Sequence, residues 1–152
     1  MKIKLSIKYL NQQNYIMKTS TLLFLLLFLC FSAQSQYNKD VKLEPILKTD
    51  TTSIGQKIEY PSFANDEVTM LKVTIPPGKS TGWHKHSFPV FAYVLQGTLT
   101  VEIEKRKALK FMPNTSFSEV LNTLHNGVNN GKDDVVLIAF FMGEKGKPLS
   151  QH

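Results

Sequence analysis

The sequence predicts an all-β domain of the sandwich or barrel kind. Short runs rich in β-branched and aromatic residues recur between turn residues, among them Glu67 to Ile75 (EVTMLKVTI) and Val135 to Met142 (VVLIAFFM). No stretch after Gln36 keeps a helical period. Seven or more such runs at this spacing close two sheets on each other rather than alternate strand with helix.

Taken in chain order, the first element is not part of that domain. Leu22 to Phe31 (LLFLLLFLCF) is an unbroken apolar run, well short of the roughly 20 residues a membrane-spanning helix needs. It follows Met17-Lys18-Thr19-Ser20, a compact basic start, and precedes Ala33-Gln34-Ser35, whose small residues suit a signal peptidase. A buried helix would need a polar face that the run lacks. Residues 1–35 therefore read as a signal peptide, with translation beginning at Met17 and Met1 to Ile16 an upstream extension. The expected product is exported, periplasmic or secreted, and free of the membrane after cleavage. Cys30 falls inside the segment, so no disulfide is expected.

Residues 36–65 read as an irregular lead-in with an edge strand, and 66–148 as the barrel. Thr69, Leu71, Val73 and Ile75 alternate onto one face of the first strand, and Pro76-Pro77-Gly78 ends it. Val90 to Leu95 and Thr98 to Glu104 flank Gln96-Gly97, which reads as a tight hairpin. Lys105-Arg106-Lys107 is a solvated turn. Ala108 to Met112, Ser116 to Leu121 and Leu124 to Val128 follow, and Asn129-Asn130-Gly131 turns the chain into Val135 to Met142. Alternation from Val90 sends Ala92 and Val94 inward and Phe91 and Tyr93 outward.

The formal net charge of +6 is concentrated at the start, where the first twenty residues hold four lysines and no acid. From Gln36 onward 14 basic residues face 12 acidic ones. A nearly neutral body lacks the basic face that nucleic acid requires. The single cysteine also excludes a zinc finger.

Three histidines carry the chemistry: His84 and His86 in Trp83-His84-Lys85-His86, and His125 in Leu124-His125-Asn126-Gly127. In a strand, residues i and i+2 point to the same face, so His84 and His86 can converge. Neutral imidazole is a good ligand for iron, manganese, nickel, copper or zinc. A bare H-x-H is also found in exposed strands that hold nothing. The aromatics near these residues, Trp83, Phe88, Phe91, Tyr93 and Phe117, read mainly as core and sheet packing.

The flanking spacing resembles the cupins. Gly78, five residues, His84, one residue, His86, three residues, Val90, six residues and Gly97 follow the first cupin motif, and His125 with Asn129 four positions later follows the end of the second. The likeness runs from about Asp50 to Gly146 and is closest to small single-domain bacterial cupins with P-P-G, G-W-H-K-H, Y-V-L-x-G and N-T-x-H-N-G. It implies a double-stranded β-helix, or jelly-roll barrel, in which His84, His86 and His125 hold one divalent metal ion and Asn129 belongs to the turn. It also allows a homodimer.

Departures from the pattern matter as well. The family's glutamate ligand falls at Val90, which coordinates nothing. Val120 and Asn122 stand where the second motif has proline and glycine, and Asn114 replaces a turn glycine, a change asparagine tolerates. Glu119, six residues before His125, is the candidate to compensate. Direct ligation, orientation of a histidine N–H, and a solvated edge position all remain open to it. Two functions follow from the resemblance: a metal-dependent enzyme, oxygenase-like, acting on a small organic substrate, or a non-catalytic module that holds a small molecule or metal in the same apolar cavity.

Overall fold

In the computed structural model, which describes residues 40–152, seven strands follow the apolar runs of the sequence. They are β1 Asp66–Ile75, β2 Val90–Gln96, β3 Leu99–Ile103, β4 Leu109–Phe111, β5 Ser116–Ser118, β6 His125–Val128 and β7 Val135–Glu144. Among the described residues there is no helix. The expected export segment 1–35, with Met17 and Cys30, lies outside the described residues.

The strands form two antiparallel sheets, in the orders β1-β7-β2-β5 and β4-β3-β6. β7 alternates strictly between buried and half-buried residues, the period-2 pattern of a strand with one face on a core. β1 pairs with it from Asp66 opposite Glu144 to Ile75 opposite Val135, which turns Leu71, Val73 and Ile75 inward as their alternation predicts. Val94, Phe117, Val135 and Leu137 of one sheet meet Leu99, Val101 and Ile103 of the other in a single core. Each fully buried side chain of this size contributes roughly 1.5–3 kcal/mol, which is what holds the jelly roll closed. Phe111 stacks on Phe117 with centroids 3.7 Å apart, tying the β4 edge to β5.

Three expectations are corrected. Gln96-Gly97 is not a hairpin turn, because β2 and β3 belong to different sheets. It is the corner where the chain crosses between them. Gly97 has a φ of 72°, and a Cβ there would lie 2.7 Å from the Asp134 carbonyl oxygen, so close backbone approach requires glycine. A corner and a hairpin demand the same residue, which is why sequence did not separate them.

Secondly, no strand precedes β1 among the described residues. Where an edge strand was expected, a single bridge between Thr51 and Lys57 closes a turn that packs on β5: the Ser53 N–H donates to the Ser118 carbonyl. Thirdly, His84 and His86 do not sit in a regular strand. Residues 80–86 run beside β6 through isolated bridges, Ser80 to Val128 and His84 to His125.

The Asn114 replacement is tolerated as expected, and Asn122 takes the same conformation. Asn114 and Asn122 adopt left-handed φ values of 64° and 49°. Asn129 is fully buried in the β6–β7 turn, where its amide donates to the carbonyls of Ile75 and Asp133 and its oxygen accepts from Gly131 N–H.

Candidate metal centre

The bridge between His84 and His125 is made by two backbone hydrogen bonds of 2.9 Å, which fix the first and third histidines side by side. His86, two residues on from His84, keeps the same facing although the strand is irregular. The three imidazole rings lie 4.5 to 5.2 Å apart between centroids. His86 and His125 are buried and His84 is half-buried.

Glu119 joins them, so the solvated-edge position is excluded. β5 ends at Ser118, and the loop to β6 breaks the alternation on which a same-face argument from His125 would depend. Its place is set instead by β2: the Glu119 N–H donates to the Val90 carbonyl at 2.9 Å, continuing the register Phe91–Ser118. Glu119 is therefore the cross-strand neighbour of the position where the glutamate of the motif was expected. Its Oε2 lies 3.1 Å from His86 Nε2 and 3.2 Å from His125 Nε2, with the side chain 15% exposed.

Each imidazole is held by its other nitrogen. Nδ1 of His84 faces the Gly82 carbonyl at 2.8 Å, Nδ1 of His86 the Leu149 carbonyl at 2.7 Å, and Nδ1 of His125 the Thr123 carbonyl at 2.9 Å. A carbonyl oxygen only accepts, so each Nδ1 carries its proton, and a neutral ring presents a bare Nε2 lone pair. The Nε2 atoms of His86 and His125 then meet a carboxylate with nothing between them unless a proton or a cation is supplied.

The electrostatics follow from this crowding. Burial favours the neutral form of Glu119, but when His125 and His86 also carry a proton on Nε2 their hydrogen bonds outweigh it and hold the carboxyl at about 2. Burial lowers His125, and Glu119 more than reverses this, leaving its pKa raised. His84 is lowered, by burial first and by the neighbouring His125 and His86, partly offset by its bond to Gly82.

The ligand atoms of His84, His86, Glu119 and His125 all lie within 4.8 Å of one another and could hold a metal ion. Two donors each about 2.1 Å from one ion and at right angles to each other sit about 3 Å apart. The contacts of 3.1 and 3.2 Å to Glu119 match that edge. Three fixed imidazole lone pairs and one carboxylate are a donor set for a borderline divalent ion, so the residues present fit such a group.

Sequence reasoning missed three further contributors. The Gln56 side-chain amide clamps both Leu121 N–H and Leu121 C=O, steadying the loop that carries Glu119. Leu149 supplies the carbonyl that orients His86. His152 contacts the Trp83 carbonyl with its Nδ1 at 3.1 Å and lies 6.3 Å from His84 between rings. None of these carries a local signal, because each acts across a long sequence separation.

A cavity of about 300 Å³ opens beside the cluster, lined on one side by Leu71, Val73, Ile75 and Leu137 and on the other by Leu99 and Val101. Glu119, His84, His86 and His125 form part of its wall.

The chain is similar to a chain from crystal structures of DMSP lyases, at 18% identity and a TM-score of 0.47, covering 55% of this chain and 43% of that one. It is similar to a Bacillus halodurans protein at 18% identity and a TM-score of 0.47, covering 53% and 65% respectively. A cupin domain from Bordetella pertussis matches at 21% identity and a TM-score of 0.46, over 57% of this chain and 98% of that one. The chain thus spans less than half of the lyase chain and about two thirds of the Bacillus one. No curated protein matches the sequence. The family model described as Cupin domain matches residues 71–141, from within β1 to within β7. This match and the all-β fold support a small cupin-type protein, with the cupin domain assigned to residues 71–141.

Proposed function

We propose that this protein is an exported, metal-dependent cupin enzyme in which His84, His86, His125 and Glu119 hold one divalent ion and a small organic substrate enters the adjoining cavity. The observation that carries the reading is the set of three imidazoles locked through Nδ1 onto backbone carbonyls, with two Nε2 atoms converging on one carboxylate oxygen. Side chains prearranged in this way bind a cation without reorganising. When bound, the ion supplies Lewis acidity toward a substrate oxygen and, as ferrous iron, reactivity toward dioxygen.

The chain's own residues do the rest. Three neutral ligands and one carboxylate leave a divalent centre with a formal charge of +1, so a substrate oxygen is attracted to it. The apolar walls lower the local dielectric and so strengthen that attraction. Glu119, whose carboxylate already meets His86 and His125 Nε2, serves as ligand or anchor.

Protein purified without chelator or affinity tag should contain about one divalent metal per chain, and the mature chain should begin at Gln36. Separate loading with ferrous iron, manganese, nickel and zinc, followed by screening of small phenolic and enolic compounds for product and oxygen uptake, tests for turnover. Activity lost in His86→Ala supports the enzyme. Saturable binding with every metal and no turnover would make the protein a binding module.

A further inference from the structure

The cavity is polar at one end and apolar along its length. His125 begins β6 and pairs with Ile103, while Gly127, two residues on, pairs with Val101. The wall continues along β3 to Leu99, about 13 Å from the Ile103 position at the strand rise. On the facing sheet Phe141 marks the histidine end, its ring 5.5 Å from that of His86. Leu137 and its β1 partner Val73 line the part about 13 Å farther down β7, and Ile75, opposite Val135, lies about 20 Å down. Ser150 and His152 also sit at the histidine end, carried by the tail that pairs through Gln151 with Lys85.

Away from that end, the polar side chain in the lining is Thr81. Its hydroxyl is already committed, accepting from Gly127 N–H at 2.9 Å and donating to the Gly82 carbonyl at 3.2 Å. Among the described residues that line the cavity there is no lysine, arginine, asparagine or glutamine. A ligand group that needs a partner along the slot would go without one, at a cost of about tenfold or more in affinity for each group. The volume of about 300 Å³ has room for about ten water-sized groups.

We propose that the cavity selects a monoanionic oxygen chelator with an apolar tail, and discriminates against dianions, phosphate esters and polyols. This rests on the metal reading above. One negative charge on the ligand head balances the +1 centre, whereas a second would be buried with no cation beside it. The tail then lies between the walls of β1, β3 and β7.

The test is calorimetric titration of manganese-loaded protein with acetohydroxamate, butanohydroxamate and hexanohydroxamate, and with oxalate and glucose 6-phosphate. Affinity should rise by about fourfold per methylene until the slot is filled. Oxalate and glucose 6-phosphate should bind at least tenfold more weakly than hexanohydroxamate. Leu71→Lys, at a wall position that is 39% exposed and so tolerant of charge, should flatten the chain-length series and improve oxalate binding. A flat series in the parent protein, a preference for oxalate or the sugar phosphate, or an unchanged profile in Leu71→Lys would overturn the proposal. Metal content measured on the same samples separates the two readings: protein that takes up no metal sinks the metal centre, and metal-loaded protein with a flat series sinks the slot alone.

Discussion

Exchanging the residues at positions 90 and 119 tests whether the carboxylate of this site has moved from one strand to its neighbour. Val90 and Glu119 are joined by a backbone hydrogen bond of 2.9 Å and continue the β2–β5 register. Directly opposed residues of an antiparallel pair have Cβ atoms roughly 4.5–5.5 Å apart. Val90 is 1% exposed and packs with Phe88 and Phe141, both of which flank the His86 ring. Glu119→Val should lower manganese affinity by roughly 10- to 100-fold or more. Val90→Glu alone places a second carboxylate about 5 Å from the first, a repulsion of about 3 kcal/mol at an effective dielectric of 20. The metal-free variant should therefore lose on the order of 10 °C in Tm. Saturating metal should restore it, because a ligand that binds only the folded state stabilises by mass action. With metal present, Val90→Glu should bind manganese and ferrous iron more tightly than the parent, since both favour oxygen donors.

The decisive variant is the exchange, Val90→Glu with Glu119→Val, which keeps the charge and moves only its strand of origin. It should recover at least about tenfold of the affinity lost in Glu119→Val, or about 1.4 kcal/mol. Affinity can be read by competition against a chromophoric chelator and Tm by circular dichroism. An exchange variant no better than Glu119→Val would refute the reasoning, because the two positions would then not serve one coordination site.

The fold was legible because alternation and turn residues act locally. β1, β7 and the turn at Asn129 follow directly from Glu67 to Ile75, Val135 to Met142 and Asn129-Asn130-Gly131. The Gln96-Gly97 corner was not, since the residue that permits a left-handed φ says nothing about which sheet the next strand joins. His84, His86 and His125 could be named from spacing because His84 and His86 are two residues apart and the flanking motif supplied His125. Glu119 could only be suspected. Its place depends on pairing with Val90 across the sheet, and the loop after Ser118 removes the parity that would link it to His125. Gln56, Leu149 and His152 were invisible for a related reason: each contacts the site through chain brought back from 63 to 69 residues away.

Replacing His84, His86 or His125 by alanine should each remove most of the bound metal, as measured by elemental analysis of folded protein. In metal-free protein the His125 proton resonance should titrate above 6.5, because burial is outweighed by Glu119, and in Glu119→Gln the midpoint should fall. Stability from His125 is fully present below 6.5 and lost as pH rises through its raised value, whereas that from Glu119 is present above 4.5 and lost as pH falls toward about 2. A His125 midpoint that does not move in Glu119→Gln would break the pairing. The last expectation concerns the tail. Gln151 exchanges two backbone hydrogen bonds with Lys85, at 2.9 and 3.0 Å, and these seat the Leu149 carbonyl against His86 Nδ1. Gln151→Pro removes the Gln151 N–H and restricts the residue before it. The two bonds are worth about 1 kcal/mol each, so the barrel should stay folded with only a modest drop in Tm. The His86 ring, however, loses the partner that fixes its tautomer, and a ring with the proton on Nε2 has no lone pair to offer the centre. Metal affinity should fall roughly 10- to 100-fold. Nitrogen chemical shifts of His86 should report a loss of the Nδ1–H form in the metal-free variant. Tail release with unchanged affinity would show that the His86 ring is held by its burial among Phe88 and Phe141 rather than by the carbonyl of Leu149.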